Sequence, residues 1–195
     1  TGSIGVVTIN LPRIGYLSQD ETEFFTRLDR LMDLAAESLT TKRRVVNQLM
    51  ESGLFPYTRR YLNHLNNHFS TIGLVGMNEA LLNLTGRDIT GPEGRTFAAR
   101  VLDHMRDRLA GYQEQTGEAT PAESTSYRLA RHDRQRYPDI IAGGQEEPYY
   151  TNSTHLPVGY SDDIFDALDM QDDLQTRYTG GTVFHGFIGE AIEDW

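Results

Sequence analysis

Between Thr120 and Ser126 the chain reads Thr-Pro-Ala-Glu-Ser-Thr-Ser, a cluster of hydroxyl groups interrupted by one carboxylate. Thr120 and Glu123 have capping-box spacing, with Pro121 where a missing N–H costs nothing, so the pattern predicts a helix beginning here. A helix start offers unpaired backbone N–H groups and the positive end of the helix dipole. With the hydroxyls and the cation of Arg128 nearby, that is the chemistry a phosphate needs. Simple capping is the commoner use of such residues, and residue chemistry leaves both uses open.

Asn152-Ser153-Thr154 lies between Pro148-Tyr-Tyr150 and Leu156-Pro157. Amide and hydroxyl groups held between aromatics and prolines suit contact with a sugar or phosphate, and equally suit an ordinary turn. His64 and His68 are spaced to share a helix face, but no glutamate of the zinc-protease type lies between them. His104, His132, His155 and His185 are isolated, and the pattern predicts no metal site. There is no glycine-rich dinucleotide fingerprint, phosphate-loop lysine or serine nucleophile elbow.

The elements that must position these groups follow from apolar periodicity. Gly5–Leu11 is β-branched and predicts a strand buried on both faces, stopped by Pro12. Ser18 and Glu21 form a capping-box pair before a helix over about 19–52, with Phe24, Leu28, Leu31, Ala35 and Leu39 at helical spacing and a bend near Thr40. Thr71–Gly76 predicts a second short buried strand, leading into a helix over Asn78–Thr85 closed by Gly86. Thr90 and Glu93 predict the start of a helix carrying Phe97, Val101, Met105 and Tyr112. The helix begun at Thr120 runs to about Arg136. Asp139–Ala142, His155–Val158 and Thr182–His185 are strand candidates, and a last helix is predicted from Ser161. Short strands alternating with helices give an α/β fold with mainly parallel strands, in a single unit over 1–195.

Composition narrows the functions. The 195 residues carry a net charge of −10, which disfavours a duplex nucleic-acid partner. No apolar run approaches the roughly 18 residues of a membrane span, and Thr1–Asn10 lacks signal-peptide character. There is no cysteine, so disulfides, thiolate metal sites and thiol nucleophiles are excluded within this chain.

Five stretches together say more than any one of them. Val6–Arg13, Gly73–Asn78, Ala119–Arg128, Glu147–Thr154 and Tyr178–His185 closely resemble, in order and in register, the anaerobic ribonucleoside-triphosphate reductases of the class III glycyl-radical type. The resemblance implies part of a ten-stranded α/β barrel, active as a homodimer and cytoplasmic. It implies removal of the 2′-hydroxyl from ribonucleoside triphosphates, with formate as reductant in many members. A radical-SAM activating enzyme generates the glycyl radical, a cysteine thiyl abstracts the ribose 3′-hydrogen, and a four-cysteine zinc site is usual.

Carried over residue by residue, Asn10 matches an asparagine of the substrate pocket, where a carboxamide hydrogen-bonds ribose hydroxyls or formate without titrating. Thr120, Glu123, Ser124, Thr125 and Ser126 match a loop and helix start near the substrate phosphates, and Asn152 and Ser153 match the pocket wall. The chain departs from the family in having no cysteine, no glycyl-radical motif and no ATP-cone, and it is shorter around Thr116–Ala119. It therefore reads as an internal part of the catalytic barrel domain, inactive alone. A stand-alone phosphate- or nucleotide-binding module derived from the same fold is the alternative.

Overall fold

The β-branched run near the start forms strand β1, Ser3–Asn10, in a computed structural model that describes residues 2–66, 68–116, 119–120, 126–144, 146–161, 163–179 and 184; residues 113–116, 119, 120 and 126 are described through their backbone alone. Proline cannot continue a strand ladder but suits a helix's first turn. The chain accordingly turns at Asn10 into helix α1, Leu11–Leu17, with Pro12 in its first turn. Helix α2, Glu21–Glu51, follows, then α3, Pro56–Leu62, and strand β2, Phe69–Val75. Helices α4, Met77–Thr85, and α5, Pro92–Thr116, lead to the two-residue strand β3, Ala119–Thr120, and to α6, Ser126–Arg136, and α7, Ile164–Gln175.

The three strands form one parallel sheet in the order β1-β2-β3. Val6 faces Thr71 and Asn10 faces Val75, while Thr71 faces Thr120 on the other side. β2, in the centre, is buried almost throughout. β1 is not buried on both faces as its composition predicts: Val6 is 49% exposed, because nothing among the described residues covers that face.

The core lies between the sheet, α2, α4 and α5. Phe24, Leu28, Met32, Ala35 and Leu39 place one apolar stripe of α2 inside, with the predicted Leu31 half-buried against it. Phe97, Val101, Met105 and Leu109 do the same for α5. Phe24 and Phe97 meet edge to face, with ring centres 5.3 Å apart. Beyond the stripe, the α2–α5 seam is laced by Arg100–Glu21 at 2.7 Å, His104–Asp29 at 2.5 Å and Arg108–Asp33.

Local boundaries differ from the pattern for identifiable reasons. At the start of α2 the cap is Asp20, accepting from Glu23 N at 2.8 Å while Glu23 accepts from Gln19 N at 2.9 Å; Ser18 instead donates to Ile14 O. Two acids next to one serine allowed the same box in a shifted register. Thr90 bonds Asp88 rather than Glu93, and α7 starts at Ile164 behind the cap Asp163. His64 and His68 lie beyond the end of α3, so no helix face joins them. Asp139–Ala142 and His155–Val158 form no strand. Thr182 and Val183 and also His185 lie outside the described residues, as does any strand they form. No described helix is long and apolar enough to cross a membrane.

Candidate functional site

Parallel strands bind ligands at their carboxyl ends, and here those ends carry Asn10 and Val75-Gly76 side by side. Gly76 makes the approach close. Its φ of +76° is the left-handed turn that glycine adopts without strain, and a Cβ there would run into the Pro12 ring. The start of α1 is thereby laid against the start of α4.

The segment around Asn152 seals this end of the sheet. Gly76 N donates to Thr151 O at 2.8 Å and Met77 N to Ser153 O at 3.0 Å, so the loop's carbonyls satisfy N–H groups that the start of α4 leaves unpaired. Val75 and Asn152 form an antiparallel bridge. Glu79, 2% exposed, accepts from Thr151 N at 3.0 Å and Thr151 Oγ1 at 2.6 Å. Ser153 is buried with a φ of +43°, a backbone conformation that a non-glycine residue holds only where its surroundings impose it. The Asn152 side chain makes no hydrogen bond to another described residue.

Asp133 of α6 is the hub beneath these ends. Its side chain is fully buried. Oδ2 accepts from Asn10 Nδ2 at 2.7 Å and from the Tyr150 hydroxyl at 2.9 Å. Oδ1 accepts from Arg13 Nε at 2.8 Å and also from Arg13 Nη2. The three partners come from the end of β1, from α1 and from the loop after α6. Burial, and then the bond to this carboxylate, push the Tyr150 phenol well above its ordinary range, so it stays a neutral donor. His132 Nδ1 lies 3.2 Å from Arg13 Nη2. Asn10 also caps α1, its Oδ1 accepting from Arg13 N at 3.4 Å.

The structure thus brings Asn10, Asn152 and Ser153 to the same end of the sheet. Thr120 lies in β3, opposite Thr71, and α6 is described from Ser126 onward. Glu123, Ser124 and Thr125 lie outside the described residues. Arg128 borders an open cleft with Tyr127, Arg131, His132 and Gln135, a row of basic and polar groups on the outer face of α6. Among the described residues no three His, Asp or Glu side chains are grouped to hold a metal.

Motif reading passed over Asp133, Glu79 and Tyr150. Asp133 carried a signal: it falls three residues after buried Ala130, on the inner face of an otherwise basic helix. An acid on that face calls for buried donors.

The model of one protein family, anaerobic ribonucleoside-triphosphate reductase, matches residues 1–195 from end to end. The chain belongs to that family. The Haemophilus influenzae reductase is 27% identical over 205 residues, covering 94% of this chain and 29% of the relative. The reductase of Enterobacteria phage T4 is 28% identical, covering 93% and 32%. The Thermotoga maritima enzyme, solved with dATP bound in the specificity site, superposes with a TM-score of 0.78 at 27% identity, over 95% of this chain and 33% of that one. Its complex with dATP and CTP gives 0.77 at 25% identity. The chain therefore spans about a third of the length of the anaerobic reductases it matches, and its helices and short parallel strands are those of their fold.

Proposed function

We propose that this chain is part of the catalytic barrel of an anaerobic ribonucleotide reductase, a ten-stranded glycyl-radical fold, and that it helps to hold the ribonucleoside triphosphate being reduced. The observation that carries this reading is the meeting of Asn10, Asn152 and Ser153 at the carboxyl ends of β1 and β2, in a chain matched throughout by the reductase family. In this reading Asn10 hydrogen-bonds the ribose or formate, the pocket wall contains Asn152 and Ser153, and the stretch from Thr120 through Glu123, Ser124 and Thr125 to Ser126 receives the phosphates. Nucleotides bound to the Thermotoga maritima enzyme support a nucleotide ligand here.

A thiyl radical and a four-cysteine zinc site both need cysteine thiols, which residues 1–195 do not contain. In this reading the thiyl, the zinc and the glycyl radical belong to other parts of the enzyme. Its partners in this reading are an activating enzyme of the radical-SAM class and a second reductase subunit.

The test is anaerobic turnover of the full-length reductase with activating enzyme, S-adenosylmethionine, formate and each ribonucleoside triphosphate. Deoxynucleotide formation is expected. Ser124→Asp should raise the substrate KM about fivefold or more, because a carboxylate repels phosphate at a cost of roughly 1 kcal/mol or more, while the same charge favours a helix start. Absence of deoxynucleotide from activated protein would sink the function, and an unchanged KM in Ser124→Asp would sink the phosphate assignment.

A further inference from the structure

We infer that Asp133 is a positioning residue for ribonucleotide reduction, acting through Asn10. A primary amide presents a donor on one side and an acceptor on the other, and rotation by half a turn exchanges them. At Asn10 two neighbours select the same orientation. The Asp133 carboxylate accepts from Nδ2 at 2.7 Å, and the N–H of Arg13 donates to Oδ1 at 3.4 Å. The reversed amide would set its oxygen against the carboxylate and its NH2 against an N–H. Among the described residues nothing else takes the second N–H or the second lone pair of Asn10, which are held in fixed directions for a ligand at the end of β1.

The carboxylate is itself held. Arg13 grips Oδ1 through Nε and Nη2, and Tyr150 donates to Oδ2 at 2.9 Å beside Asn10. Every donor comes from an element bordering the carboxyl ends of the strands, and Asp133 is shielded completely from solvent. A buried, fully partnered carboxylate keeps its geometry when a ligand arrives, which a solvated one does not.

The inference rests on the proposed place of Asn10 in the ribose pocket, so the experiment separates the two. Full-length reductase carrying Asn10→Ala, Asp133→Asn or both is assayed for kcat and KM, with thermal unfolding measured in parallel. Asn10→Ala should lower kcat about tenfold or more, and folded Asp133→Asn should do likewise with KM changed less than about twofold. The double variant should be no worse than about twofold below the poorer single one, since both changes remove the same oriented amide. Wild-type turnover in Asn10→Ala would remove the ribose-pocket reading itself. With that reading intact, wild-type kcat in folded Asp133→Asn, or losses that multiply in the double variant, would overturn the positioning role. A purely structural Asp133 lowers the unfolding temperature and leaves kcat per folded enzyme alone. Should Asp133→Asn not accumulate, Arg13→Lys loosens the same carboxylate: several-fold lower kcat at constant KM is expected, and unchanged kcat overturns the inference.

Discussion

Glu79 shows how much a single buried carboxylate organises here. It sits in the first turn of α4, where a negative charge meets the positive end of the helix. It takes both the N–H and the hydroxyl of Thr151, and Asn78 Nδ2 lies 3.4 Å away. Removing it strands three buried donors, the N–H and hydroxyl of Thr151 and the amide of Asn78. Glu79→Ala should therefore cost about 1–3 kcal/mol of stability in denaturant unfolding, beyond its small packing loss. A change under about 0.5 kcal/mol, the level of an ordinary surface substitution, would mean that the Thr151 contacts contribute little. None of this was legible from Glu79 itself, because a glutamate in a helix's first turn reads as a surface charge. Asn10 was legible, but only through the family resemblance of Val6–Arg13, since one asparagine at a strand end has no chemistry of its own. Its anchor Asp133 lies 123 residues away, and no local pattern links the two.

The long helices were read from sequence more faithfully than their ends, whereas the one-to-two-turn α1 and α3 are too short to show a period and were not read. The stripes of α2 and α5 repeat over many turns, so leaving out one buried position, Met32, leaves the buried face unchanged. Caps depend on one or two side chains, and where several acids and hydroxyls adjoin, local competition decides among them. The strand assigned to His155–Val158 failed because the segment is pinched between two turns, closed by His155 N to Asn152 O at 2.9 Å and by Tyr160 N to Pro157 O at 3.1 Å. The α2–α5 seam also gives a pH dependence. The Tyr112 hydroxyl holds the Asp33 carboxyl below its ordinary value of 3.8; burial opposes it, and the Arg108 guanidinium adds to the lowering. A lowered folded value stabilises the fold above the unfolded pKa and is lost as pH falls through the folded one. The stability gap between the protein and Asp33→Asn should thus be present at neutral pH and close as pH drops below about 4. Asp33 is 58% exposed, so the gap should be small and shrink in salt. A gap that is the same at neutral pH and at pH 3 would assign it to packing rather than charge.

Across the whole molecule, parallel α/β character followed from composition and periodicity, whereas the sheet's uncovered side did not. Among the described residues β1 pairs with β2 alone, leaving its other edge without a strand partner, and Val6 is 49% exposed. A β-branched edge of this kind is a template for another strand. Two forces then compete when the chain is produced by itself. Edge pairing and burial of Val6 favour association at contact distance. The net charge of −10 opposes it at longer range. Salt weakens only the second, because the screening length falls from about 30 Å at 0.01 M to about 8 Å at 0.15 M. Light scattering should therefore show an average mass above the 22.1 kDa of one chain, rising with both concentration and salt. Val6→Lys, which places a charge on the edge, should return the mass toward that of the monomer. If the mass stayed at one chain in high salt, the edge would be blocked within the chain itself. If it fell with salt, attraction between opposite charges, rather than the strand edge, would be holding the copies together.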